Sequence, residues 1–366
     1  MISLSRRLML GLIIFLSFFS INKFPINPVY IFGIIFFLIG LNFVNFRKFG
    51  SYSCVGGFFF LAFMTVMCVG VNYQIRTGIP AVYTSSLLFG YSLLLGLLCY
   101  EIGKTTSRLD RIVVYKNINL FLIFFMSIEL VLRVLNPDPT ETGFYRFKES
   151  YFYFDSNFTG LVLCAFLAFF YYLKKENIYD IGKISFIILF FLLLLTFSRA
   201  AIIAFIFSLV FFKFFGKFFK FFALFVLCAV FYISVILINI FAGGENFADI
   251  DGSFNSKFSI INNAIDIYTG LPFFLKLTGI GLANFVNYGG IFAHNIGVTL
   301  VFEFGYIGIA LFIFYMTYLY KRTKGDLMYL LFPVLICGAS LFSAYFAFFF
   351  ILAALILIEK DTSRLQ

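Results

Sequence analysis

The sequence has no tryptophan, a single histidine, seven prolines and only 12% charged residues in 366 positions. Each scarcity excludes something. With 62% apolar residues and a mean hydropathy of +1.03, the chain has too little polar surface to solvate a soluble domain and reads as a polytopic membrane protein. One histidine and six cysteines (Cys54, Cys68, Cys99, Cys164, Cys228, Cys337), all in apolar runs and without a CxxC, make neither a metal-ligand set nor a disulfide framework. There is no Walker loop, no GxSxG and no Cys/His metal set, and no cofactor is expected. The basic residues behind the net charge of +10 are scattered at helix ends rather than gathered in a patch, which excludes nucleic acid as the natural partner. The 22 tyrosines supply the interfacial belt that tryptophan would otherwise share.

What is present is a series of apolar runs. At roughly 20 apolar residues per span, helices are expected near 7–22, 28–46, 54–72, 79–100, 112–135, 156–173, 184–198, 200–213, 218–241, 295–320, 327–342 and 344–358. The expected fold is an all-α integral membrane protein of about 12 transmembrane helices in one polytopic domain, 1–366. Ser5-Arg6-Arg7 ahead of an apolar run without a small-residue cleavage site reads as the start of a retained first helix. The run from Ile184 to Phe212 is interrupted by Ser198-Arg199, and splitting it there puts most Lys and Arg in alternate, cytoplasmic loops. Two loops on the opposite, periplasmic side are unusually long, 136–157 and 242–293. Loops of that length usually carry function. The second includes FSIINNAIDIYT, expected to be an amphipathic helix along the membrane surface.

The candidate chemistry lies on that side. Arg199 interrupts an apolar run, where an arginine costs about 2.5–3.5 kcal/mol on insertion scales, so it either snorkels to lipid phosphate or serves a ligand. A guanidinium is suited to gripping a diphosphate because its planar fork pairs two oxygens at once. Arg146 and Lys148 stand beside Tyr145 and Phe147, a pattern that fits a sugar or lipid-linked diphosphate and equally an ordinary interfacial belt. Lys257 and Asp266 belong to the second loop. Glu129 and Arg133, one helical turn apart, read as an i, i+4 ion pair, and Asp249 and Asp251 as a turn rather than a calcium loop. His294, the only histidine, precedes an apolar helix beginning near Ile296. In a regular helix Gly305 falls about 20° and Gly308 about 40° from His294, giving a groove floored by glycine, with Glu303 on the opposite face as a buried structural group. A histidine at a membrane interface also simply hydrogen-bonds headgroups or backbone.

Two stretches carry a family likeness over about 184–320. LLLLTFSRAAIIAFIFSLV resembles the Ser-Arg-small motif of the O-antigen polymerase and ligase superfamily. GIGLANF followed by AHNIGVTLVFEFGYIG resembles its Gly-x-Gly, His-Asn and Glu-x-Gly-x-x-Gly stretch. Between them Lys257 stands where the family commonly has arginine, and Ala293 stands where the ligases have a further histidine, so the likeness is to the polymerases. The resemblance implies a glycosyltransferase, independent of metal, that joins undecaprenyl-diphosphate-linked oligosaccharides at the periplasmic face of the bacterial inner membrane. Lipopolysaccharide or capsular polysaccharide would be the product, with a flippase and a chain-length regulator as partners in the bilayer. It further implies that Arg199 binds the donor diphosphate assisted by Arg146 or Lys257, that His294 is general base toward the acceptor, and that Asn295 and Asp266 are weaker contributors. An O-antigen ligase and a lipid-linked oligosaccharide flippase are the alternatives.

Overall fold

The computed structural model describes residues 2–45, 49–141, 143–215, 218, 252–290, 292–293, 295–338 and 347–362. Its helices are α1 Ile2–Phe18, α2 Pro28–Leu41, α3 Ser51–Arg76, α4 Thr84–Gly103, α5 Arg108–Leu135, α6 Ser156–Lys175, α7 Gly182–Leu194 and α8 Arg199–Phe215. They continue with α9 Gly252–Gly270, α10 Phe273–Thr278, α11 Val286–Gly289, α12 Ile296–Arg322, α13 Met328–Gly338 and α14 Ala347–Thr362. A helix stands at every expected stretch except 218–241, of which 219–241 lies outside the described residues. Among the described residues five helices, α3, α4, α5, α6 and α12, are long and apolar enough to cross a membrane. Extended structure is confined there to one isolated bridge, Glu149 to Asp155.

The helix starts follow from side-chain chemistry. Asn27 caps α2 through Val29 N with Pro28 in the first turn, Ser107 caps α5 through Asp110 N, and Asp155 caps α6 through Asn157 N. On α2, Ile31, Ile34 and Leu38 are each at least half exposed, an apolar outer surface that suits acyl chains and not water.

The bundle is organised around α14. Its sequence is apolar on all sides, and Ala347 to Glu359 are all buried, as a helix without a polar face must be. Glycines on α4 permit the close approach: a Cβ on Gly96 would lie 2.8 Å from that of Phe350, and one on Gly103 would lie 2.4 Å from Ile358 Cδ1. Three consecutive residues then pin one end of α14 to three neighbours. Glu359 accepts from Arg111 Nε at 2.6 Å and from the Tyr115 hydroxyl at 2.7 Å, Lys360 pairs with Asp326 at 2.5 Å, and Asp361 accepts from Arg322 at 3.0 Å. Arg111 and Glu359 are almost wholly buried, so each depends on the other for charge compensation.

That pinned end carries the turns 104–107, 176–181 and 323–327; the opposite end carries 19–27, 77–83, 136–155 and 195–198. The latter set shares direct bonds: Asn22 N donates to Phe152 O at 3.2 Å, and the Arg133 guanidinium joins 147 to 195 and 196.

Candidate functional site

The run 184–212 is two helices, as the sequence implies. α7 ends at Leu194, and Leu195 to Ser198 form a turn in which Phe197 has φ +53°, a left-handed conformation uncommon for a bulky residue. The motif after it divides its labour. Ser198 and Ala201 are fully buried against Gly160 of α6, where a Cβ would lie 2.7 Å from that of Ser198 and 3.0 Å from that of Ala201. Smallness at these positions is therefore a packing requirement. Arg199 between them is exposed and is the first residue of α8.

The carbonyls left open at the end of α7 go to Arg133. Its Nη2 donates to Leu195 O at 2.9 Å; its Nη1 donates to Phe147 O at 3.3 Å and reaches Thr196 O at 3.5 Å. Arg133 is 2% exposed, and Glu129 lies 3.6 Å away as the expected i, i+4 partner. Glu129 accepts in turn from Ser150 Oγ at 2.7 Å and from Thr159 Oγ1 at 3.4 Å. A buried cation at a helix C-terminus meets the negative end of the backbone dipole and so is well placed.

Through Phe147 the same guanidinium ties down the first long loop. A 3₁₀ turn, Gly143–Phe147, exposes Tyr145 and Arg146 while Asp138 N donates to Arg146 O at 2.8 Å. Lys148 Nζ stands 5.0 Å over the Tyr145 ring, the cation-beside-aromatic arrangement anticipated from sequence. Asp138 bonds the hydroxyl and amide of Thr140, which lowers its carboxyl below the usual range. Beyond them Glu149 pairs with Lys23, and Tyr153 donates to Phe18 O; burial pushes the Tyr153 hydroxyl well above its ordinary pKa, so it remains a donor. The loop is thus strapped across this end from Arg133 to the α1–α2 turn.

The second long loop is also folded. α9 turns Ile260 and Ala264 into a small apolar cluster with Leu275, Ile280, Phe285 and Phe302. Asp266 is exposed on α9, where Lys257 also falls; the Lys257 side chain, like His294, lies outside the described residues, as do Asp249 and Asp251. GIGLANF is a buried plug. Ile280 N donates to Phe302 O at 2.9 Å and Gly281 N to Glu303 O at 3.1 Å. Asn284, fully buried, donates to Val82 O and Ile280 O at 3.0 Å each and accepts from Val82 N at 2.8 Å.

The plug corrects the regular-helix expectation. α12 runs as a π-helix over Thr299–Phe304 and breaks at Gly305, φ +65°, so the phase count from His294 to Gly305 and Gly308 does not apply. The glycine floor is not an open groove, because the Gly279 backbone fills it at Gly305 and the Phe304 and Met67 side chains fill it at Gly308. Glu303 is buried, as anticipated, with the amides of Ala283 and Phe285 directed at its carboxylate. Asn295 caps α12, its Oδ1 accepting from Gly297 N at 2.7 Å and Val298 N at 3.2 Å, so that oxygen already serves the helix.

The structure brings Arg199, Arg146, Lys148 and Tyr145 to one end through Arg133. Asn295 joins them there. Ring contacts Phe207 to Phe332 and Phe212 to Tyr329 run α8 antiparallel to α13, so Arg199 lies toward the Gly338 end, and Gly338 packs on Ile296. The tie that sequence reading missed is Arg133 itself. Its signal was an acid and a base at one helical turn near the end of an apolar helix, which is enough to find the pair but not the backbone it holds. No family model, no curated protein and no solved structure matches the chain. Fold and apolar helices together make it a multi-pass helical membrane protein.

Proposed function

We propose that the chain is a polysaccharide polymerase of the O-antigen type, joining undecaprenyl-diphosphate-linked repeat units at the periplasmic face of the bacterial inner membrane. The observation that carries this reading is the setting of Arg199. It is the first residue of α8, where the helix dipole disfavours a cation by about 0.3–1 kcal/mol, so helix stability does not account for it. Arg146 and Lys148 sit on a turn bonded to the same junction, and three cations at one membrane face suit the charge of a diphosphate.

In this mechanism Arg199 and Arg146 hold the donor diphosphate, with Lys257 assisting, and stabilise its charge as the anomeric C–O bond breaks. An acceptor hydroxyl on the second lipid-linked unit attacks that carbon, and His294, next to the Asn295 cap, takes its proton. A flippase would need an open polar path through the bundle. A broken helix is the usual place to build one, and here the Ile280 and Gly281 amides occupy the carbonyls of Phe302 and Glu303. A ligase acting on lipid A core would use the same donor grip, and Ala293 in place of a further histidine favours the polymerase.

The test is complementation of a strain lacking the gene, with the glycan ladder and lipid-linked intermediates resolved on one gel. Arg199→Ala should leave a single repeat unit on lipid A at normal protein levels; an intact ladder from that variant refutes the assignment. Long chains accumulating on undecaprenyl diphosphate in the strain without the gene point to the ligase instead.

A further inference from the structure

Between α7 and α8 the chain turns through four residues and adopts a left-handed conformation at Phe197, immediately before the exposed Arg199. Such a turn holds one shape only if its surroundings over-determine it. Two neighbours do so from opposite sides. Gly160 leaves room for Ser198 and Ala201 where any Cβ would clash, and Arg133 takes the carbonyls of Leu195 and Thr196. The Nη1 that reaches Thr196 also donates to Phe147 O, one peptide after Arg146. One buried guanidinium is therefore bonded to the turn that aims Arg199 and to the turn that displays Arg146.

From this geometry we infer that Arg133 is a positioning residue, fixing the spacing of Arg199 and Arg146 so that the two grip one diphosphate together; the inference rests on the diphosphate role given to Arg199. Arg133 itself is 2% exposed, and its guanidinium is turned to backbone carbonyls. Glu129, held by Ser150 and Thr159, lies 3.6 Å from Arg133 Nε and compensates its buried charge. Lysine in its place keeps the charge beside Glu129 but has one nitrogen where Arg133 uses Nη1 and Nη2, so it cannot occupy both positions at once.

The experiment measures undecaprenyl diphosphate binding to the purified full chain in nanodiscs, for wild type, Arg133→Lys, Gly160→Ala, Arg199→Ala and the double variant Arg133→Lys/Arg199→Ala. Arg133→Lys should weaken binding by about tenfold, the scale of one charge-assisted hydrogen bond, with its melting profile close to wild type. In the Arg199→Ala background the same change should have a clearly smaller effect than in wild type, because the spacing it fixes then has only one of its two members. Gly160→Ala, which displaces the junction from the other side, should reproduce the loss and carries the test if Arg133→Lys does not fold. Wild-type affinity in the folded variants, or an equal loss in both backgrounds, overturns the inference. Wild-type affinity of Arg199→Ala alone overturns the diphosphate role as well, and is read independently of Arg133.

Discussion

Gly279 and Gly305 meet backbone to backbone: a Cβ on Gly305 would lie 2.2 Å from the Gly279 nitrogen, and one on Gly279 would lie 2.3 Å from Glu303 O. Gly279 has φ +75° with ψ 165° and Gly305 φ +65° with ψ 174°, a region essentially reserved for glycine. Gly70 of α3 closes the crossing, since its Cβ would stand 2.0 Å from Gly279 O. Two helices and a plug therefore share one point, and none of the three residues can carry a side chain without moving backbone.

Alanine at Gly279 or Gly305 should accordingly destabilise the protein by about 3 kcal/mol or more, from left-handed strain and overpacking combined. Thermal unfolding followed by fluorescence-detected size exclusion measures it. Alanine at Gly57, which has nothing within 4 Å of its Cβ, is the control and should be neutral.

Removing one member of a buried ion pair leaves its partner uncompensated, at about 3–5 kcal/mol. Glu359→Ala should show that full loss through Arg111, and Glu129→Gln a smaller one, because the amide still accepts from Ser150. Equal melting temperatures for wild type and Glu359→Ala would contradict the pinning of α14.

Asn295→Ala should cost about 1 kcal/mol through loss of the α12 cap, whereas Asn295→Asp should keep it. If Asn295→Asp melts like wild type yet fails in chain extension, the Nδ2 amide has a role of its own toward substrate.

His294→Ala should lower turnover by about 10²–10⁴-fold, the range for a positioned general base, and leave undecaprenyl diphosphate affinity near wild type. A parallel loss of affinity would move His294 into the donor site.

Helix positions were legible because apolar runs of membrane length have few alternative uses, and the split at Ser198-Arg199 was legible because a charge rarely sits inside such a run. Glu303 and the Glu129–Arg133 pair were legible for the same reason. What sequence could not convey was how backbone meets backbone. At the end of the π stretch Thr299–Phe304, Ile280 and Gly281 take the carbonyls of Phe302 and Glu303, a contact between segments about twenty residues apart that leaves no periodicity to read. The cap that Asn295 supplies to α12 was a second thing its position could have conveyed, since an asparagine just ahead of an apolar helix is a common N-cap. The residues flanking Arg199 carried the family likeness without a stated reason, and the structure supplies one, since Ser198 and Ala201 pack on Gly160.

The hub position of α14 has a temporal side. The ribosome makes residues 347–362 after every helix they hold together, so α1, α4 and α6 enter the bilayer with their shared inner surface still facing lipid or one another. Arg111, inserted long before Glu359 exists, spends that interval without its counter-charge. Assembly of this bundle is therefore a closing step rather than a progressive one. A nascent chain halted before residue 347 should be a substrate for membrane quality control, whatever the quality of the helices already made.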